Sequence, residues 1–229
     1  MQNKWMIYGA NGYSAELIAR EAKKRGMTPV LAGRNKEKVN ALAKQLGLEA
    51  VIVDLSEGQK LRESLKDMTL VLHCAGPFSA THKPMLEACI DTSTHYFDIT
   101  GEIAVFEHAH SAEVSQRAKE AGIMVCPGVG FDVVPTDALA HCLKLKMPQA
   151  THLELAFAGS STAESASAGV SPGTAKTMLE MMAEPCVVRL DAELSSVGVA
   201  SIAKSINFAD KPRWSMAIPW GDVVTAFYS

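Results

Sequence analysis

The chain has 229 residues, of which 48% are apolar, enough for one large domain or a domain and a half with a real core. Lys and Arg number 22 against 25 Asp and Glu, and the net charge of −3 excludes a field strong enough to gather nucleic acid or an anionic membrane. Any bound anion must therefore be held by local geometry. No apolar run approaches the ~20 residues that cross a bilayer, so no membrane span is expected.

The first half alternates short apolar runs with helix-period segments. The runs are 5–8, 30–32, 51–53, 70–72, 96–97 and 123–125. After the first, Ala15, Ile18, Ala19 and Ala22 follow the i, i+3, i+4, i+7 rule, with Gly26 available as a stop. After the second, Val39, Leu42, Ala43 and Leu46 repeat the spacing before Gly47, and Gly122 closes a third segment over 102–121. Six strands alternating with five helices predict an α/β fold: a doubly wound parallel sheet covered on both faces. Ligands in such folds bind beyond the carboxyl ends of the strands.

The first strand runs into Gly9-Ala10-Asn11-Gly12-Tyr13-Ser14-Ala15, a G-x-x-G-x-x-A variant of the dinucleotide fingerprint. Gly9 permits the tight turn, Gly12 lets the backbone approach a pyrophosphate, and Ala15 is small enough for close helix packing. Asn11, Tyr13 and Ser14 complete the loop. Free N–H groups and the helix dipole at 13–15 favour phosphate charge. An ordinary strand-to-helix turn would share the glycine spacing, but this match begins at the first strand of an α/β pattern.

The second strand ends at Arg34, where an acid would hold the ribose hydroxyls of NAD. A guanidinium there predicts NADP, through charge-assisted bonds to the 2′-phosphate, with Lys36 or Lys38 assisting. Asp54, ending the third strand, either reaches toward the adenine side or caps the next turn. The fourth strand ends in His73-Cys74-Ala75-Gly76-Pro77-Phe78. Gly76 and Pro77 force a sharp turn, against whose backbone a cofactor can pass, with Phe78 beside the nicotinamide. His73 reads as a satisfied core histidine.

Asp98 and Glu102 flank the end of the fifth strand and are candidates for binding an amine or orienting a substrate; capping by Thr100 and Glu102 is the competing reading. Asp132 is a third candidate, at a hinge between domains or in a turn before Pro135. The domains read as 1–135, nucleotide-binding, and 136–229, an incomplete α+β substrate domain. In the second, 151–158 alternates like an antiparallel strand, 159–171 reads as a loop, Pro172 opens a helix that Pro185 ends, and short strands are expected at 187–190 and 216–218. His108 and His110 read as surface residues.

The cysteines are Cys74, Cys89, Cys126, Cys142 and Cys186, with no C-x-x-C pair and no zinc-finger spacing. No metal is expected, and the odd count without a secretory leader favours a reducing, cytoplasmic setting. No Tyr lies four residues before a Lys, as a short-chain dehydrogenase requires, and G-x-S-x-G is absent.

The stretches 8–15, 32–34, 74–78, 95–102 (HYFDITGE), 127–140 (PGVGFDVVPTD at its start), 171–174 and 218–226 resemble the saccharopine dehydrogenase family, in particular its saccharopine dehydrogenase-like oxidoreductases and trans-acting enoyl reductases. The resemblance implies an NADP-binding Rossmann domain followed by an α+β substrate and dimerisation domain. It also implies hydride transfer to or from a small imine, enone or carbonyl, and a possible homodimer. The competing reading is a non-catalytic NADP-binding sensor or scaffold. Family chains typically continue well past residue 229, and Ala15 stands where the family's fingerprint has its closing Gly.

Overall fold

The structure is a computed structural model of the chain, and it describes residues 4–158, 179, 185–198 and 200–229. It divides into two compact units, 1–100 with 104–131 and 101–103 with 132–229.

The first unit is built on six strands: β1 (Trp5–Tyr8), β2 (Val30–Gly33), β3 (Ala50–Ile52), β4 (Leu70–His73), β5 (His95–Asp98) and β6 (Val125–Cys126). They pair in the order β3-β2-β1-β4-β5-β6, and every pairing is parallel. Each crossover carries helix: α1 (Tyr13–Lys24), α2 (Lys36–Leu46), α3 (Gly58–Leu65), α4 (Phe78–Thr92), then α5 (Ile103–Ala109) and α6 (Ala112–Ala121). The predicted single segment over 102–121 is two helices, because the Ser111 hydroxyl accepts from Val114 N at 3.3 Å and starts a new one.

Period-two alternation explains why the sheet is covered on both sides. Met6 and Tyr8 of β1 pack with Leu61, Leu65, Met85, Leu86 and Val114, from α3, α4 and α6, and with Tyr96 of β5. Ile7 points the other way, to Ala15, Ala19, Val39 and Leu42 of α1 and α2. Both faces of the central strands are dry, which is why these strands read as continuous apolar runs rather than alternating ones.

The second unit contains α7 (Val134–Lys146), two antiparallel hairpins and α8 (Asp222–Thr225). The strands β7 (Cys186–Leu190) and β8 (Glu193–Val197) are joined by Asp191 and Ala192, both at positive φ, the geometry of a tight two-residue turn. The second hairpin pairs β9 (Ala203–Asn207) with β10 (Pro212–Met216). Here the sequence expectations need correction. Residues 151–158 form no strand, although the apolar alternation is present; Glu154 instead pairs with Lys204 and Phe157 stacks at 4.8 Å on Trp220. The strand expected at 216–218 lies earlier, at 212–216, because the pairing register with β9 runs from Pro212 to Met216. The loop expected at 159–171 and most of the helix expected after Pro172 fall outside the described residues.

Candidate functional site: a phosphate cradle at the carboxyl end of the sheet

After Tyr8 the backbone turns at Gly9, whose φ is +80°. The N–H groups of Gly9 and Ala10 both donate to Ala32 O, at 2.8 and 3.0 Å, which ties the turn to the end of β2. A Cβ on Gly9 would lie 2.9 Å from both the backbone N and the Cβ of Ala75, so only glycine fits where the β1 and β4 loops touch. Gly12 is the N-cap of α1, extended at φ −78°, ψ 156°, with no side-chain cap. The first helical bond is Glu16 N to Gly12 O at 2.9 Å. The N–H groups of Tyr13, Ser14 and Ala15 therefore precede the hydrogen-bonded ladder and lie at the positive end of the helix dipole. Asn11, Tyr13 and Ser14 are exposed, whereas Ala15 is buried against the sheet. This is an uncapped nest of donors with a smooth floor, and it fits a diphosphate.

Arg34 is exposed and follows directly on β2; the next residue, Asn35, caps α2 by accepting from Lys38 N at 2.9 Å. The guanidinium field reaches Asp54 and the Tyr8 hydroxyl. Hydrogen bonds from Ser56, with a smaller contribution from Arg34, hold the Asp54 carboxyl below its ordinary range. Burial, then the Asp54 charge, pushes the Tyr8 phenol up to about 12 against the pull of Arg34. Asp54 holds the turn that follows it: its Oδ1 accepts from Ser56 N at 2.9 Å and from Ser56 Oγ at 2.7 Å. Replacing Arg34 with Ala is expected to weaken NADPH binding about 10–100-fold, the loss of one or two charge-assisted bonds, and to leave NADH unchanged. Titration calorimetry with both cofactors reads this directly; equal losses for the two would remove the 2′-phosphate role.

The third wall is the turn after β4. Ala75 touches Gly9, Gly76 is exposed, and Pro77, buried, is the N-cap of α4. Phe78 is only 8% exposed and meets the His73 ring edge-on at 5.3 Å, so it braces the turn from below. The expectation of a fully satisfied His73 is half right. Thr81 Oγ1 donates to Ala75 O at 2.6 Å, so its 3.1 Å contact with His73 Nε2 requires the imidazole to be the donor. Among the described residues, the buried His73 Nδ1 has no hydrogen-bond partner.

Asp98 is 0% exposed: Oδ2 accepts from the Tyr96 hydroxyl at 2.6 Å, and Oδ1 from Thr100 N at 3.0 Å and Gly128 N at 2.8 Å. At this burial it is an internal acceptor, so of the pair expected to bind an amine or orient a substrate Asp98 is the one the structure buries. Glu102, half-buried, precedes α5. Asp132 is exposed, and its backbone O accepts from Trp220 Nε1 at 2.6 Å. His108 also departs from expectation: it is half-buried and hydrogen-bonded to His82, which joins it to Tyr96 and Asp98. Sequence reasoning missed that cluster, although Tyr96 and Asp98, two apart on a strand, must share a face. Among the described residues no group of acids, histidines and cysteines has the geometry of a metal site, and no helix is long and apolar enough to cross a membrane.

A parallel sheet of this strand order, with a glycine turn opening α1 and a cation at the end of β2, defines a dinucleotide-binding Rossmann domain. The chain belongs to the family described as saccharopine dehydrogenase NADP binding domain, which it matches over residues 5–126, and NADP is the cofactor of that domain. It is 30% identical over 151 residues to the saccharopine dehydrogenase-like oxidoreductase of Rattus norvegicus, a match covering 58% of this chain and 35% of the relative. It is 30% identical over 139 residues to the trans-acting enoyl reductase of Mycobacterium bovis, covering 58% and 33%. These matches thus span about a third of each curated relative. The fold is shared with saccharopine dehydrogenase (L-Glu forming) of Saccharomyces cerevisiae, at a TM-score of 0.60 and 15% identity over 92% of this chain and 48% of that one.

Proposed function

We propose that the protein is an NADP-dependent oxidoreductase that transfers a hydride to or from a small imine, enone or carbonyl substrate. The observation that carries the reading is the uncapped donor nest at 9–15 beside Arg34, a pair that suits a diphosphate and a 2′-phosphate at one end of one sheet. The relatives' names, oxidoreductase and enoyl reductase, support the reaction class. Bound NADPH would supply the hydride. The chain's own part is positional: the nest and the α1 dipole hold the diphosphate, Arg34 selects the phosphorylated ribose, and the 75–78 turn, locked against Gly9, sets the floor. Asp98 acts through the turns it holds rather than on a substrate. Glu102 and Asp132 remain catalytic candidates.

Steady-state NADPH oxidation against imines, enones and 2-oxo acids tests this. Turnover on one class, lost in Arg34→Ala at low cofactor and recovered at high cofactor, is expected. Tight NADPH binding with no turnover on any class would instead favour a cofactor-binding sensor or scaffold. The reading extends to a homodimer working in the cytoplasm; sedimentation equilibrium at a single-protomer mass would contradict the dimer.

A further inference from the structure

A line of four side chains runs through the first unit beneath the ends of β4 and β5. His108 Nδ1 lies 2.8 Å from His82 Nε2, His82 Nδ1 lies 3.0 Å from the Tyr96 hydroxyl, and that hydroxyl donates to Asp98 Oδ2 at 2.6 Å. Asp98, Tyr96 and His82 are 0%, 0% and 2% exposed, so His108, half-buried, is the member nearest solvent. Burial of this kind keeps water from reaching the carboxylate directly.

The directions of these bonds are fixed by proton counting. An ionised carboxylate can only accept, so Tyr96 gives Asp98 its single proton. The Tyr96 oxygen must then accept from His82 Nδ1–H, which leaves His82 Nε2 a bare lone pair. That lone pair accepts from His108 Nδ1–H. Every bond points toward Asp98. The opposite arrangement is equally self-consistent once Asp98 carries a proton: Asp98 donates to Tyr96, Tyr96 to His82 Nδ1, and His82 Nε2–H to His108 Nδ1. The chain therefore has two complete states, and they differ by one proton.

We propose that His108, His82 and Tyr96 form a proton relay through which solution pH sets the charge of the buried Asp98, and with it the hold on the Gly128 turn. In the forward step a proton binds His108 Nε2. Nδ1–H of His108 passes to His82 Nε2, Nδ1–H of His82 passes to the Tyr96 oxygen, and the Tyr96 proton passes to Asp98 Oδ2. One N–H bond forms at the surface, three protons each move along one hydrogen bond, and one O–H bond forms on the carboxyl. The net change is one proton taken up and one negative charge removed, with no imidazolium left in the interior. That outcome suits the environment: burial, then His108 and Lys83, lowers His82 to about 4, while burial raises the Asp98 carboxyl above its ordinary value. The other titratable groups around the line are His73 on β4, Cys74 after it, Lys83, Glu87 and Cys89 on α4, and Cys126 on β6. The cysteines are held as thiols by burial, so Asp98 is the buried anion of the set.

The consequence lies at the turn. Asp98 Oδ1 accepts from Gly128 N, and Asp98 O accepts from Val129 N at 2.8 Å. Gly128 has φ +72°, and a Cβ there would come within 2.5 Å of the Phe106 ring, so this turn is held in one tight place. Neutralising Asp98 removes the charge assistance from the bonds to Gly128 N and Thr100 N and loosens the turn.

Long-range proton–nitrogen NMR correlation on histidine rings distinguishes the two states in cofactor-free protein. At pH 7.5, His82 and His108 are expected as Nδ1–H tautomers. In Asp98→Asn the amide must keep its oxygen toward Gly128 N and Thr100 N, which turns its NH2 toward Tyr96. Both histidines are then expected to switch to Nε2–H, with Gly128 amide exchange several-fold faster. In Tyr96→Phe the link is cut, and adding Asp98→Asn should no longer change the histidine tautomers. Should Asp98→Asn fail to fold, acid titration of the wild type must give the same paired switch. Histidines that keep their tautomers in Asp98→Asn, or that switch independently of each other on titration, would overturn the relay. Neither readout depends on cofactor or turnover, so failure here is separable from failure of the oxidoreductase reading.

Discussion

Gly9→Ala is expected to lower stability by about 2–4 kcal/mol and to abolish measurable NADPH binding. Two costs add. An alanine at φ +80° pays a left-handed backbone penalty of about 1 kcal/mol or more. Its Cβ would also press on Ala75 at 2.9 Å from both N and Cβ and 3.1 Å from Cα, and a backbone neighbour cannot turn aside as a long side chain can. Relief comes only by separating the β1 and β4 loops, which spoils the nest. Thermal unfolding should fall by roughly 5–15 °C for a chain of this size. A variant that melts with the wild type would mean that the contact between Gly9 and Ala75 is looser than the structure has it.

Acid should destabilise the first unit well before its surface carboxylates titrate. Burial, with His82 second, holds His73 down at about 3, and burial holds His82 at about 4, both from 6.5. The unfolded chain takes up protons at 6.5 that the native state refuses. Stability from these groups is therefore complete above 6.5 and is lost as pH falls from there toward 4 and 3. Linkage gives about 2 kcal/mol for each between pH 7 and pH 5, near 4 kcal/mol together. Asp98 has the opposite sign: its raised value favours the folded state at low pH, and that contribution is lost as pH rises through it. The lowered carboxyls of Asp54, Glu57 and Glu87 favour the folded state at neutral pH, and that contribution is lost only as pH falls through and below their ordinary range. Urea unfolding at pH 7 and pH 5 measures the sum, and His73→Phe, lodged among Tyr8, Phe78 and Tyr96, should remove about half of it. Equal stability at the two pH values would contradict the burial of neutral imidazoles.

Much of the first unit was legible because its signals are local. The apolar runs at β1, β2 and β4 sit between glycine turns and helices whose period is unambiguous, and Gly47 and Gly122 stop α2 and α6 where the periodicity ends. The phosphate nest is legible for the same reason, since seven consecutive residues make it. What the sequence concealed depends on contacts distant along the chain. The His82–Tyr96–His108 line joins α4, β5 and α5, and nothing adjacent to His108 tells it from a surface residue. Of the three donors that bury Asp98, those at 96 and 100 are only two residues away, and the third, Gly128 N, lies 30 residues along the chain where no local signal reaches. The alternating stretch 151–158 misled in the other direction: period two is necessary for a half-buried strand but does not supply the partner strand that makes one.

Titration calorimetry of the purified protein with NADPH and with NADH, at one ionic strength, is the most direct test of the cradle. A single site that takes NADPH at least tenfold more tightly than NADH, with the difference erased by Arg34→Ala, is the expected result. No heat with either dinucleotide from well-folded protein, or a preference for NADH, would contradict it.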